Sequence, residues 1–325
     1  MTLDCSEYIV VFQVNGIGDQ LMAWPTMRAL NTLFPKRLRL VTSKSMPSML
    51  FRDVPFADKL RVDFKSNNPR DLKYEEISKE LLNTEVFINL CEWLNEPVWN
   101  LINTIQPRHT IGFQNCFHDV ITVAKDTNTF DRTFQVTQVV DDKLQISDFS
   151  EPPVFSPAAT DAAHRLKSKY VHSGEKILFL HPETLPEKQW SPVGFSKVLD
   201  LFLDARPEYK VFICSLKPSG ISVSQRNISR VVHISPHLEL SLALVGLCDT
   251  FLGIDSCFMH AADLYRLPSV ALFGPTDPKI WGFRFAKKTR TIQILAEQSL
   301  QSDVESLNII EVYESLMEVS REETL

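Results

Sequence analysis

The stretch YIVVFQVNGIGDQLMAWPTMRAL, residues 8–30, is the clearest indication of fold class in this sequence. Its first part, Tyr8 to Val14, is an apolar run typical of a buried β-strand, and an amphipathic segment with helical spacing follows from Leu21 to Leu33. Further strand-like runs are Leu38–Thr42, Glu85–Leu90, Lys176–Leu180, Tyr209–Cys214, Thr250–Ile254 and Pro268–Phe273. Strand-like and helical patterns thus alternate along the chain, which predicts an α/β protein with parallel sheets.

The turn between the first strand and helix, NGIGDQ (residues 15–20), raises the first functional question. It is not a dinucleotide loop, because Leu21 stands where GxGxxG needs its third glycine, and it is not a P-loop, because no GK[ST] follows. The two glycines favour a tight turn that places Asp19 at the helix N-terminus. Asp19 then either stabilises the helix dipole or serves as a functional carboxylate, since ligands of open α/β sheets bind beyond the carboxyl ends of the strands.

The length and a proline-rich interruption indicate two domains. A chain of 325 residues exceeds the size at which single cores usually stop growing. Residues 147–170, SDFSEPPVFSPAATDAAHRLKSKY, read first as a linker and then, from about Pro157, as a helix. We therefore predict domains over residues 1–155 and 156–325 with a cleft between them, and a terminal helix over Ser302–Val319.

Composition and charge exclude several classes of protein. Hydrophobic residues make up 44% and charged residues 23%, as in an ordinary globular chain, and the net charge of −6 argues against a dedicated nucleic-acid binder. The six cysteines contain no CxxC pair, so neither a disulfide framework nor a zinc ribbon is indicated. No apolar run is long enough to span a membrane, and the acidic Asp4 and Glu7 argue against a signal peptide. We expect a cytoplasmic protein, with room for peripheral contact at the cytosolic face of the inner membrane.

A second strand-end loop is HPETLPEKQW, residues 181–190, which precedes a helix capped by Ser191. A lysine in a polar loop is ordinarily solvated, and that is the simpler interpretation of Lys188. Between a strand end and a helix start, however, a cation and backbone N–H groups can meet a diphosphate. Lys188 is therefore a candidate anion clamp.

A third candidate segment is GIDSCFMHAADLYRLPSVALFGPTDP, residues 253–278. Asp255 and Ser256 end a strand and open a helix, so they face any anion at that terminus, and His260 lies one turn later. The simpler interpretation is a capped helix with a half-buried histidine. The segment ends in FGPTDP, residues 273–278, a turn at another strand end.

Other chemistry in this part of the chain is less favoured. A nucleophile pair of Cys257 and His260 has poor geometry and no third orienting group. A metal site that adds Cys248 to these two residues lacks a standard ligand spacing. The basic segment FRFAKKTR, residues 283–290, is typical of a solvated edge rather than of a phosphate site.

Taken together, the spacing of these motifs resembles glycosyltransferase family 9, whose best-known members are the ADP-heptose:lipopolysaccharide heptosyltransferases. The matching motifs, between about Ile9 and Gly282, are GxGD with a later proline (Gly16, Gly18, Asp19, Pro25), Lys188 with Trp190, DSxxxH (Asp255, Ser256, His260), GPTDP (274–278) and Trp281–Gly282. The resemblance implies a GT-B fold, in which two Rossmann-like domains with parallel sheets face each other across a cleft. It further implies acceptor binding by the first domain, donor binding by the second, and transfer with inversion and without a metal or other cofactor.

Carried over by position, the resemblance makes Asp19 the general base and Lys188 the cation that faces the donor diphosphate. The remaining donor-binding positions that it implies are Gly18, Thr184, Asp255, Ser256, Cys257, His260, Gly274 and Pro275. Further acceptor-side candidates are Arg28 and Lys44. The implied donor is a nucleotide sugar, first of all ADP-heptose. The implied acceptor is a lipopolysaccharide core or another glycan, a lipid-linked or protein acceptor, or a small molecule.

Two positions depart from the family pattern. The family reads D-[ST]-G where this chain has Cys257, so a side chain stands where backbone should approach phosphate. After the strand at residues 209–214 the family often has acids that help to hold ribose, whereas residues 215–227 contain none. Two other hypotheses therefore stay open: a sugar-nucleotide epimerase or hydrolase on the same fold, and a degenerate nucleotide-sugar-binding or interaction module.

Overall fold

The computed structural model describes residues 8–62, 72–294 and 302–321. The chain divides into two compact units, Met1–Val154 and Phe155–Leu325, and the division falls in the proline-rich segment. Each unit contains one six-stranded sheet in which all neighbouring strands are parallel.

The first unit carries the Asp19 turn. Its strands are β1 (Tyr8–Phe12), β2 (Leu38–Ser43), β3 (Asp58–Val62), β4 (Thr84–Asn89), β5 (His109–Gly112) and β6 (Asp119–Val120). Its helices are α1 (Ile17–Met22), α2 (Trp24–Leu33), α3 (Tyr74–Ile77), α4 (Glu96–Ile105) and α5 (Thr129–Gln138), with 3-10 helices at Ser78–Leu81 and Ile146–Phe149. The strand order β3-β2-β1-β4-β5-β6 is that of the doubly wound nucleotide-binding fold, whose order reverses between β1 and β4.

The second unit repeats this topology. Its strands are β7 (Lys176–His181), β8 (Tyr209–Cys214), β9 (Val231–Ile234), β10 (Thr250–Ile254), β11 (Ser269–Phe273) and β12 (Thr289–Gln293). Its helices are α6 (Pro157–Tyr170), α7 (Pro192–Ala205), α8 (Leu238–Val245), α9 (Cys257–Leu264), α10 (Pro278–Trp281) and α11 (Ser302–Val319), with 3-10 helices at Pro186–Lys188 and Ile228–Arg230. The order β12-β11-β10-β7-β8-β9 reverses between β7 and β10. The predicted α/β class with two Rossmann-like parallel sheets is confirmed.

Burial explains why the central strands could be predicted. All five residues of β10 and β11 are buried, and four of the five in β1, because helices cover both faces of each sheet. The terminal helix α11 was predicted as well, and its residues Val312 and Leu316 are fully buried in the core of the second unit. The flanking strands β3, β5, β6, β9 and β12 were not predicted, because they are short and partly exposed and so lack a continuous apolar run.

Pro25 divides the helix that was predicted over Leu21–Leu33. The structure has α1 from Ile17 and a separate α2 from Trp24, with Ala23 between them. Proline has no N–H to donate to the carbonyl four residues earlier and its ring crowds the preceding turn, so a continuous helix is disfavoured there. The break leaves Asp19 in the short helix α1, directly after β1.

Candidate active site

In the second unit, three loops leave the sheet next to the point where the strand order reverses. They follow β7, β10 and β11 and cover residues 182–191, 255–256 and 274–277. Ligands of open α/β sheets bind beyond the carboxyl ends of such strands. The three loops include most of the candidate donor-binding residues.

A cluster of three polar side chains joins these loops. Lys188 ends the short 3-10 helix and donates from its ammonium to Oδ2 of Asp255 over 2.7 Å. Thr276 donates its hydroxyl to the same oxygen over 2.6 Å. The side chain of Asp255 is 6% exposed and that of Lys188 20%, so their attraction is less screened than at an open surface. One buried carboxylate therefore holds three loops together.

Neighbouring side chains support this cluster. The hydroxyl of Thr184 donates to the backbone carbonyl of Asp255 over 3.2 Å, and the Gln189 amide donates to the carbonyl of Thr184 over 2.9 Å. On the other side, the Gln293 amide donates to the carbonyl of Gly274. The predicted residues that lie in this network or its loops are Thr184, Lys188, Asp255, Ser256, Gly274 and Pro275. Their contact with a donor stays a prediction.

Helix α9 begins directly beside the cluster. Ser256 occupies its N-cap position with extended backbone, but the hydroxyl accepts no capping bond, contrary to the simple capped-helix interpretation. Its buried Oγ has no hydrogen-bond partner among the residues that the structure describes. Cys257 is the first residue of the helix, and desolvation raises the pKa of its thiol to about 12. The thiol therefore stays protonated at neutral pH, which argues against a nucleophilic role.

His260 is buried, not half-buried as the sequence suggested, because helix α9 is enclosed from Phe258 to Leu264. Burial lowers the pKa of the imidazole to about 4; attraction by Asp255 opposes this shift and repulsion by Lys188 adds to it. The imidazole is therefore neutral at physiological pH. The site thus places an uncharged ring beside a charged lysine–aspartate pair.

Three supporting residues were missed from the sequence. They are Thr276, Gln293 and His181. The ring N–H of His181 donates to the Cys214 carbonyl over 2.8 Å, which ties the end of β7 to the end of β8. Thr276 and His181 could have been found from their positions at strand ends. Gln293 could not, because it ends the edge strand β12, which has no apolar run.

The first unit presents Asp19 in the first turn of α1, whose N-cap is Gly16. Gly16 has an ordinary φ of −60°, which other residues also adopt, and the predicted position of Asp19 at the helix N-terminus is confirmed. A Cβ at Gly16 would lie 3.4 Å from Oδ2 of Asp19, at the short end of ordinary van der Waals contact. Gly18, a predicted donor-binding position, also lies in α1, in a different unit from Lys188.

Hydrogen bonds between loops hold this turn at the ends of the strands. The buried amide of Gln20 donates to the Gln13 carbonyl over 2.8 Å and to the Thr42 hydroxyl over 3.4 Å. The indole N–H of Trp93 donates to Oδ1 of Asn15 over 2.8 Å. Segments that follow β1 and β4 are thereby joined, and helix α1 is tied to the end of β2. Asp19 therefore lies where the strand order of the first sheet reverses.

Arg28, a candidate for acceptor binding, forms an ion pair and several backbone hydrogen bonds, and its contact with an acceptor stays a prediction. Its Nε donates to Oδ2 of Asp53 over 2.6 Å, and its terminal nitrogens donate to backbone carbonyls that include Phe149 and Pro152. These bonds fix α2 to the segment that leads out of the first unit. Lys44 follows β2 directly and is exposed, and its contact with an acceptor stays a prediction.

The basic segment 283–290 is fixed to the second unit. Backbone N–H groups of Arg284, Phe285 and Ala286 donate to the carboxylate of Asp263 over 2.8–2.9 Å. Burial raises the pKa of Asp263, and these three bonds oppose the shift. These bonds hold the backbone of the segment against α9, and the choice between a solvated edge and an anion site stays a prediction.

Across residues 8–62, 72–294 and 302–321, no group of three or more His, Cys, Asp or Glu side chains is arranged to hold a metal ion. Of the helices in these ranges, none is long and apolar enough to cross a membrane. The cysteines within them, from Cys91 to Cys257, are all unpaired thiols, and Cys5 lies outside the described residues.

Comparisons with known proteins show which family the sequence is similar to. The sequence profile of glycosyltransferase family 9 (heptosyltransferase) matches residues 108–313. Lipopolysaccharide heptosyltransferase 1 of Escherichia coli strain K12 is 23% identical over 129 residues, which are 37% of this chain and 39% of the relative. The matched segment therefore spans about two fifths of that relative.

Two solved structures share the fold. The glycosyl transferase family 9 structure from Veillonella parvula DSM 2008 has a TM-score of 0.71 and 18% identity, with 98% of each chain covered. The E. coli ADP-heptose lps heptosyltransferase II has a TM-score of 0.65 and 15% identity, with 95% of this chain and 98% of the other covered.

Two Rossmann-like units, each with polar side chains at its switch point, define a GT-B-like protein. With more than half of its length matched by the family profile, the chain belongs to glycosyltransferase family 9 (heptosyltransferase).

Proposed function

We propose that this protein is an inverting, metal-independent glycosyltransferase that transfers a sugar from a nucleoside diphosphate to a hydroxyl group. ADP-heptose is the first candidate donor, and a lipopolysaccharide core or another glycan is the first candidate acceptor. The names of the E. coli relatives support this choice. The observation that carries the proposal is the Lys188–Asp255–Thr276 cluster at the switch point of the second unit.

Lys188 supplies the positive charge that a departing diphosphate needs. An ammonium group has three N–H donors, and one of them is directed at Asp255, so the others can donate to phosphate oxygens. The N-terminus of α9 follows Asp255 by two residues and adds its dipole. A charge held in place before the reaction stabilises the leaving group without reorganisation.

The first turn of α9 supplies further candidate contacts to phosphate. The buried hydroxyl of Ser256, for which the described ranges offer no hydrogen-bond partner, can donate to a phosphate oxygen. Cys257 follows it as a protonated thiol and so adds no negative charge beside the donor. His260, buried and neutral one turn later, likewise leaves the charge balance to Lys188 and Asp255.

Asp19 acts as the general base in the first unit. Its carboxylate takes the proton of the acceptor hydroxyl while the hydroxyl oxygen bonds to the anomeric carbon, and the bond to the diphosphate oxygen breaks with its electron pair. Attack and departure on opposite faces of the sugar invert the anomeric configuration and need no carboxylate nucleophile. Asp19 is partly exposed, as a base that meets a substrate must be.

The cellular setting follows from the proposed acceptor. A lipopolysaccharide core carries its sugars on a lipid, so an enzyme that extends it works in the cytoplasm beside the inner membrane. We therefore propose peripheral contact with the cytosolic membrane face. Sedimentation with vesicles that contain heptose-free lipopolysaccharide, compared with vesicles of phospholipid alone, would measure this contact.

A panel of nucleotide sugars tests the proposal. ADP-heptose, ADP-glucose, UDP-glucose and GDP-mannose are each incubated with the protein, with and without a heptose-free lipopolysaccharide core. We expect one donor to raise the melting temperature and to lose its sugar only when acceptor and protein are both present, with or without EDTA. Free sugar or an isomerised donor in the absence of acceptor would instead identify a hydrolase or epimerase. A protein whose melting temperature responds to no nucleotide would be an interaction module.

A further inference from the structure

Glu183 brings a carboxylate from the loop after β7 to the loop after β8. Its Oε2 accepts the backbone N–H of Leu216 over 2.6 Å, and its Oε1 accepts that of Lys217 over 2.9 Å. The hydroxyl of the adjacent Thr184 donates to the carbonyl of Asp255, which follows β10 on the other side of β7. Because β7 lies between β8 and β10 in the sheet, this loop reaches both neighbouring strand ends.

The end of β8 is a place where a nucleotide site needs an acid. In the dinucleotide-binding form of the doubly wound fold, a carboxylate beyond the second strand accepts a hydrogen bond from a ribose hydroxyl. The second strand of this unit is β8, and residues 215–227, which follow it, contain no Asp or Glu. The carboxylate of Glu183, which belongs to a different loop, lies at the start of this segment.

The carboxylate of Glu183 retains acceptor capacity. A carboxylate has about four lone-pair positions, and the two backbone N–H groups use one on each oxygen. Glu183 is partly exposed, so its remaining positions can be reached. The loop that it holds lines a cavity of about 490 Å³ between residues 215–221 and 233–235, within the size range of small-ligand sites.

We propose that Glu183 accepts hydrogen bonds from the ribose hydroxyls of the donor nucleotide and so selects ribose over deoxyribose. The inference rests on the proposed function, because it presumes a nucleoside-diphosphate donor. The loop after β7 then serves two parts of one ligand: Lys188 faces the diphosphate and Glu183 the ribose.

Binding of ribose and deoxyribose nucleotides tests this role. Calorimetry measures the affinities of ADP, GDP and UDP and of their 2′-deoxy and 3′-deoxy counterparts for the full chain. For the nucleotide that binds most tightly, we expect about 10-fold to 100-fold weaker binding when the relevant hydroxyl is absent, as for loss of a hydrogen bond to a charged group. In Glu183→Ala this discrimination should fall towards 1, whereas Glu311→Gln, an exposed charge change on α11, should keep it.

Three results of these binding measurements would contradict the proposed role of Glu183, each for a different reason. If wild-type protein binds ribose and deoxyribose nucleotides equally, the ribose role is wrong while the proposed function stands, and this measurement needs no variant. If Glu183→Ala weakens all nucleotides by one factor and keeps the discrimination, Glu183 only holds the loop. If no nucleotide binds the wild-type protein, the proposed donor is wrong and the ribose role falls with it.

Discussion

The ammonium of Lys188 lies 2.7 Å from Oδ2 of Asp255, a residue 67 positions away in the chain. The pair connects the loop after β7 to the start of α9, and Thr276 adds a third loop through the same oxygen. An ion pair this well shielded costs desolvation energy, so its stabilising effect on the fold is modest. The pair lies at the switch point of the second sheet, the position at which ligands of open α/β sheets bind.

Replacement of Lys188 tests the diphosphate role. We expect Lys188→Met to weaken ADP binding about 10-fold or more and to leave adenosine binding unchanged, because only the diphosphate loses a charged donor. Calorimetry with both ligands measures the difference. Lys197→Met, an exposed change on α7, is the matched control.

The Lys188 variant also leaves Asp255 without its cation, which can disturb the loops. The double variant Lys188→Met/Asp255→Asn removes that buried charge and should recover stability without recovering ADP affinity. An equal loss of ADP and adenosine binding in both variants would show that Lys188 acts only on loop structure.

Replacement of Asp19 tests the general base. Asp19→Asn should lower the transfer rate by about 10²-fold to 10⁴-fold, because the amide cannot take up the acceptor proton, while donor affinity stays within twofold. Rates with saturating donor and calorimetry with the nucleotide measure the two quantities. Asp142→Asn, an exposed loop change in the same unit, should alter neither. Normal turnover in Asp19→Asn would exclude the assigned role.

The depressed pKa of His260 predicts an acid-sensitive fold. The unfolded chain titrates this residue near 6.5 and the folded protein near 4, so between these values the unfolded state binds more protons. The contribution is fully present above about pH 6.5 and is lost as the pH falls towards 4. It amounts to about 3 kcal/mol at most.

Comparison of wild-type protein with His260→Gln isolates this effect. Burial also lowers the pKa of His181, but that residue is present in both proteins, so its contribution cancels. Between pH 7 and pH 4 the free energy of unfolding should fall more steeply in wild-type protein than in the variant. Denaturant titrations over this range measure it. Parallel pH profiles would mean that the His260 imidazole titrates at the same pH in the folded and unfolded protein, so that burial does not lower its pKa.

Replacement of Arg28 separates a structural from an acceptor-binding role. Arg28→Ala should destabilise the first unit by about 2–3 kcal/mol, because Asp53 and several carbonyls lose a common donor. Arg28→Lys should recover only part of this, since lysine lacks the planar fork. The KM for the acceptor should stay within twofold in both. A large rise in that KM with unchanged stability would support the acceptor-binding interpretation.

Local sequence was sufficient for the central strands and for several helix starts. Strand β1 is a continuous apolar run and β8 and β10 are largely apolar, and Ser191 with Pro192 correctly predicts the start of α7. The break at Pro25 was not predicted, although the proline is visible, because helical spacing continues on both sides of it. The edge strand β12 has only one buried residue, so its sequence carries little strand pattern.

The α/β class and the strand-end positions of Asp19, Lys188 and Asp255 could be predicted from the sequence, because each depends on neighbouring residues and their spacing. Only the tertiary structure decided that Thr276 and Lys188 share one oxygen of Asp255, and that Glu183 reaches the loop after β8. The physical reason is the strand order. Residues that are far apart in the chain become neighbours only when β10 lies between β7 and β11, and local sequence does not encode that order.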